Sequence, residues 1–132
     1  ETQPIMLRLK SDFVALLEAG IDGKLDQVEA QWDRRAALGV VMAAANYPET
    51  PQKGDVIGGL PGKLEDGHVF HAGTTLNAEG KPVTSGGRVL CVTAFGENFK
   101  VAQKRAYDIL AGIHFTGMQF RHDIGWRAID RK

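Results

Sequence analysis

Arg88, in the run Ser85-Gly86-Gly87-Arg88, is the side chain of this sequence best suited to grip an anion. A guanidinium presents forked donors that match the oxygens of a phosphate or a carboxylate. Two preceding glycines would let the backbone come close to a ligand. Gly-Gly is also ordinary turn chemistry, so the same residues read as a hairpin turn with a surface arginine. Spacing alone leaves both readings open.

Other candidates are weaker. Gly58-Gly59-Leu60-Pro61-Gly62-Lys63 suggests a phosphate loop but fails its pattern. Ile57 stands where the first glycine belongs, and Leu64 stands where a Ser or Thr must reach the metal. It reads as a surface turn. His68 and His71 are three apart on an expected strand, which sends them to opposite faces and away from a shared metal. His114 and His122 sit alone at element ends, so no metal ligands and no catalytic group are assigned. Cys91 lies between Leu90 and Val92 and reads as a buried core thiol rather than a nucleophile. Arg121, Asp123, Trp126 and Arg127 read as a structural ion pair with packing around it. Trp32 and Trp126 are expected in the core.

Composition narrows the class. The 132 residues suffice for one domain with its own core. Lys plus Arg and Asp plus Glu both number 16, which argues against a nucleic-acid partner. The single cysteine rules out an internal disulfide and fits a reducing compartment, so the cytoplasm is expected. No apolar run approaches the roughly 20 residues of a membrane helix, and no membrane association is expected. The chain opens Glu1-Thr2-Gln3-Pro4 as if inside a motif, which points to a piece of a longer protein.

The elements that must hold these residues follow from periodicity. Residues 3–22 read as a short helical turn and then a helix capped by Ser11-Asp12, with Phe13, Leu16 and Leu17 as its apolar stripe. Residues 24–35 read as a connector or short edge strand. The apolar run 37–45 reads as a strand buried on both faces and ended by Asn46-Tyr47-Pro48. Residues 48–62 read as loop, with a short strand at 55–57. Val69–Ala72 reads as a strand, and Asn77-Ala78-Glu79-Gly80 as the turn of a hairpin. Arg88–Ala94 is the clearest strand. A helix starts after Gly96-Glu97-Asn98, with Phe99, Ala102, Ala106, Ile109, Leu110 and Ile113 on one face. His114-Phe115 and Met118–Phe120 read as strand pieces. Strands in a run followed by one long packed helix predict an α+β fold with a mainly antiparallel sheet.

Four stretches carry a resemblance. They are Glu1-Thr2-Gln3-Pro4-Ile5-Met6 through Asp12, Ala37-Leu38-Gly39-Val40-Val41-Met42-Ala43 with Tyr47-Pro48, Thr84-Ser85-Gly86-Gly87-Arg88 through Ala94, and Arg121-His122-Asp123-Ile124-Gly125-Trp126-Arg127-Ala128. In this order and spacing the chain resembles the C-terminal part of the bacterial phosphoribosylamine–glycine ligases, or glycinamide ribonucleotide synthetases, of the ATP-grasp superfamily. The resemblance covers essentially the whole chain. It implies a parent that joins glycine to 5-phosphoribosylamine in purine synthesis, with ATP and magnesium or manganese. Glycine is activated there as an acyl phosphate, which the ribosylamine nitrogen attacks.

Glu1 matches the last residue of the family signature Arg-Phe-Gly-Asp-Pro-Glu. The metal ligands, the ATP-grasp lysines and the N-terminal domain belong to the part that would precede it. The resemblance therefore implies a division into residues 1–35, the helical tail of the ATP-grasp domain with its connector, and 36–132, the C-terminal α+β domain. It implies substrate-binding roles for Glu1, Gln3 and Arg88 at one edge of the substrate cleft. It also implies that no cofactor binds this piece and that the piece is inactive alone. The partners would be the remaining ATP-grasp and N-terminal domains. The alternative is a non-catalytic ligand- or protein-binding module of similar fold. An apolar patch left open where those domains should dock would favour the ligase.

Overall fold

The computed structural model describes residues 2–130. Along the chain run α1 (Thr2–Arg8), α2 (Phe13–Ile21), a 3-10 turn (Leu25–Gln27), β1 (Ala36–Ala43), β2 (Gly67–His71), β3 (Thr74–Leu76), β4 (Pro82–Thr84), β5 (Arg88–Gly96), α3 (Phe99–Leu110) and α4 (Trp126–Ile129). β5 is the axis of the domain. It lies between β1 and β2 in an antiparallel sheet of order β1-β5-β2. The β-branched and apolar residues from Val89 to Phe95 are all buried there.

Register decides which side chains meet. Leu38, Val40 and Met42 of β1 stand opposite Ala94, Val92 and Leu90 of β5. These six form the core face with Ala102, Ala106 and Leu110 of α3. The two alanines let the helix approach the sheet closely, and Asn98 Oδ1 caps it by accepting from Val101 N at 3.0 Å. Phe99, expected on the buried face, is instead 45% exposed. It occupies the first helical turn, ahead of the sheet contact.

The other sheet face is only partly covered. α1 crosses β1 and β5, with Pro4 in its first turn, where a missing N–H does no harm. Pro4 fits because Gly39 has no side chain: a Cβ there would lie 3.1 Å from Pro4 Cγ and 3.0 Å from Cys91 Sγ. β1 is therefore not buried on both faces, as its apolar run suggested. Leu38, Val40 and Met42 are buried, but Val41 on the opposite face is exposed.

The hairpin forms as the turn residues predicted, with Thr74, Thr75 and Leu76 opposite Thr84, Val83 and Pro82. Gly80 supplies its positive φ of 73°. The expected strand pieces at 55–57, 114–115 and 118–120 appear as isolated bridges: Val56 to Val83, Gly58 to His114, and Ala43 to Gln119.

An ion network fastens the connector to the domain. Arg35 donates to Asp33 at 2.9 Å and to Asp66 at 2.6 Å, and lies over the Phe95 ring at 4.1 Å. Arg105 of α3 reaches Asp66 at 3.3 Å and the Phe95 carbonyl at 3.1 Å. The hydrogen bonds from Arg35 hold the Asp33 carboxyl well below the usual carboxylate range. The same partner raises Arg35.

Helix α2 begins as predicted, with Asp12 Oδ1 accepting from Val14 N and Ala15 N. Its apolar stripe does not enter the core. No residue of α2 is buried; Val14 is 61% and Ile21 86% exposed. Leu25, Val28 and Trp32 continue this apolar surface along the connector. Trp32 and Trp126, expected in the core, are both about half exposed, at 46% and 48%. No helix among the described residues is long and apolar enough to cross a membrane.

Candidate substrate cleft at the β1–β5 bulge

Arg88 owes its position to a bulge. Met42 pairs with Leu90, yet the next residue, Ala43, pairs with Arg88, so Val89 is an extra residue on β5. Val89 and Leu90 consequently both enter the core, while Arg88 turns out and is exposed. A bulge characteristically re-aims a side chain in this way. Regular alternation would have set Arg88 on the same face as Leu90 and Val92.

The glycines before Arg88 are required by the packing of the protein itself. A Cβ on Gly87 would lie 2.5 Å from the Tyr47 ring, and one on Gly73 would lie 2.7 Å from Gly86 Cα. Gly86 is thus approached closely by Gly73, and Gly87 by Tyr47. The segment is tied down by Gly73 N to the Arg88 carbonyl at 2.8 Å and Ala44 N to the Gly87 carbonyl at 2.8 Å. Among the described residues, no carboxylate pairs with the Arg88 guanidinium.

Two neighbouring cavities open at Arg88. One, of about 520 Å³, is lined by Thr2, Gln3, Val41, Gly73, Arg88 and Cys91, among others. Gln3 and Arg88, far apart in sequence, meet on this cavity because α1 lies across β1 and β5. Glu1 falls outside the described residues. The second cavity, about 400 Å³, is lined by Val41, Ala43, Tyr47, Arg88, Gln119 and Arg121, with Phe120 alongside. Tyr47 and Gln119 carried no sequence signal as site residues. Tyr47 ends the β1 segment beside Pro48, a position that reads only as a strand stop, and Gln119 depends on a bridge to Ala43 that local patterning does not reveal.

Arg121 and Asp123 form the ion pair the sequence suggested. Nε donates to Oδ1 at 2.9 Å and Nη2 to Oδ2 at 2.7 Å. This bidentate contact lowers Asp123 and raises Arg121 from their ordinary values. Arg127 lies 5.3 Å from the Trp126 ring centroid.

The remaining candidates stand apart from this cleft. A cavity of about 590 Å³ lies between β2 and the 60–65 loop, with His68 and His71 on its wall. His71 Nδ1 is 3.0 Å from Thr74 Oγ1, and His68 stacks edge-on against Phe70. No group of three His, Cys, Asp or Glu among the described residues could hold a metal ion. Gly58 and His114 exchange backbone hydrogen bonds, and Gly59 packs directly on the Gly112 carbonyl. These contacts tie the start of the turn to residues 112–114. Cys91 is buried, with its sulfur 3.6 Å from Thr93 Oγ1.

Fold and site together define an α+β domain: an antiparallel sheet, a long helix on one face, and an arginine-bearing cleft opened by a bulge on the other. The profile of the family described as phosphoribosylglycinamide synthetase, C domain, matches residues 37–127, and the chain belongs to that family. It is 59% identical over 131 residues to a phosphoribosylamine–glycine ligase of Ralstonia nicotianae, and 58% identical over 131 residues to one of Neisseria meningitidis serogroup A. Each match covers 99% of this chain and 31% of the relative. The crystal structure of phosphoribosylamine–glycine ligase from Thermotoga maritima is similar with a TM-score of 0.70 at 38% identity, over 84% of this chain and 27% of that one. The chain thus spans about a third of the length of these relatives.

Proposed function

We propose that this chain is the C-terminal portion of a ligase that joins glycine to 5-phosphoribosylamine. ATP and magnesium or manganese would be held by the other domains, since the described residues offer neither a metal cluster nor a phosphate loop. The role of this portion is to supply one wall of the substrate cleft through Gln3 and Arg88, and Glu1 is assigned to substrate binding by the family resemblance alone. The observation that carries the reading is that Gln3 and Arg88 line the same cavity. An amide and a forked cation suit the polar, anionic ends of such substrates. A cytoplasmic setting goes with this reading.

Residues 1–35 would belong to the ATP-grasp domain and its connector, and 36–132 to the C-terminal domain. The family match beginning at residue 37 supports that division. So does α2, whose apolar side chains find no core here. Contiguous exposed apolar surface marks a place where something docks. A free-standing binding module would have little reason to leave Val14, Leu17, Ile21 and Leu25 open to water.

The double substitution Leu17→Lys and Ile21→Lys separates the two readings. In this chain alone it should shift stability by no more than about 0.5 kcal/mol, as at ordinary exposed sites. In the full-length ligase it should cost about 2 kcal/mol or more, because two ammonium groups would be forced into an apolar contact. Thermal melts of both proteins provide the comparison. Equal, small shifts in both would remove α2 from any domain contact.

A further inference from the structure

Ala43 has a partner on each side: Arg88 of β5 on one and Gln119 on the other. Those two residues therefore stand two strand spacings apart, about 10 Å, with only a methyl group between them. Val41 extends the same low floor. The Tyr47 ring closes the near end, seated against Gly87. The Gln119 amide donates to the Ala44 carbonyl at 3.2 Å, which fixes the far wall.

Arg121 completes this cavity. Asp123 holds it through Nε and Nη2, and its Nη1 has no partner among the described residues. A guanidinium held by its own carboxylate keeps a defined orientation and spare donors. Arg88, on the opposite side, has no carboxylate partner among the described residues and lines this cavity as well as the one that contains Gln3.

We propose that the cavity between Arg88 and Arg121 binds the phosphate monoester of the ribosyl substrate, with the Tyr47 hydroxyl as a third donor. Two forked cations and a hydroxyl suit a tetrahedral oxyanion better than the single carboxylate of glycine. The ribose would then extend past Arg88 toward Gln3, along the floor at Val41 that the two cavities share. This assignment rests on the reading of Arg88 as a substrate residue and adds Arg121 and Tyr47 to it.

The test is steady-state kinetics of the full-length ligase carrying Arg121→Ala or Tyr47→Phe. Arg121→Ala should raise KM for phosphoribosylamine about tenfold or more, the effect of losing a charge-assisted contact. KM for glycine and for ATP should stay put. Inorganic phosphate, competing with phosphoribosylamine, should inhibit the variant correspondingly less. Tyr47→Phe keeps the ring on Gly87, so folding is preserved, and it should raise the same KM about threefold to tenfold. A rise in KM for glycine instead would overturn the phosphate assignment. Unchanged KM values in both variants, with Arg88→Ala still impaired, would overturn this site while leaving the ligase reading intact. If Arg88→Ala is also silent, the substrate role of the whole cleft falls.

Discussion

Replacing Gly96 with alanine is expected to lower the stability of this chain by about 3 kcal/mol or more, at the upper end of overpacking effects. Gly96 is the last residue of β5, opposite Ala36. The added methyl would sit 2.2 Å from Ala102 N and 2.8 Å from Ala102 Cα and the Asn98 carbonyl oxygen. All of these are backbone or belong to the capped first turn, so no flexible side chain can move aside. The Ala102 N–H donates to that same Asn98 carbonyl at 3.0 Å, and the methyl would intrude on this bond. Relief requires α3 to lift off β5, which uncovers Ala102, Ala106 and Leu110. Gly62→Ala is the control: nothing lies within 4 Å of its added Cβ. That variant should be neutral or slightly stabilising, by up to about 1 kcal/mol, through the unfolded chain. Urea midpoints of the two variants give the comparison, and equal midpoints would contradict the close α3–β5 packing.

The second large effect is expected at Arg88. In the full-length ligase, Arg88→Ala should raise KM for phosphoribosylamine about tenfold to a hundredfold, the range for a hydrogen bond to a charged group. Stability should hardly change, because Arg88 is exposed and pairs with no carboxylate among the described residues. Arg88→Lys should recover part of the loss, since it keeps the charge but gives up the fork. The separation of kinetics from stability is the informative feature. A structural arginine would change the melting temperature, and a solvated one would change nothing. Kinetics identical to the parent enzyme would remove Arg88 from the site.

Much of the scaffold was legible from local pattern. Asp12 and Asn98 announced their helices by capping chemistry, and Asn77–Gly80 announced the hairpin. The β5 strand followed from its β-branched run. What local pattern could not give is which faces are covered. The stripe of α2 looks like any buried stripe, yet none of its residues is buried, although the turn at Leu25–Gln27 touches the helix. Val41 and Trp32 were misjudged for the same reason: burial belongs to the partner surface as much as to the residue. At the cleft, Arg88 was visible as a residue type. Its outward turn depends on one extra residue, Val89, and its company depends on long-range pairings of Ala43 with Arg88 and Gln119. Tyr47 and Gln119 were therefore out of reach of periodicity. The glycines of 86–87 also make room for Gly73 and Tyr47, a packing demand that the local pattern does not reveal.

The most direct measurement is amide-bond formation from glycine and phosphoribosylamine, with ATP and magnesium, by this chain alone and by the full-length protein that carries it. The full-length protein should turn over with all three substrates required. This chain alone should release neither ADP nor glycinamide ribonucleotide, because it lacks a nucleotide loop and a metal cluster among its described residues. Turnover by the isolated chain, or a full-length protein indifferent to phosphoribosylamine, would contradict its assignment as one wall of that ligase's substrate site.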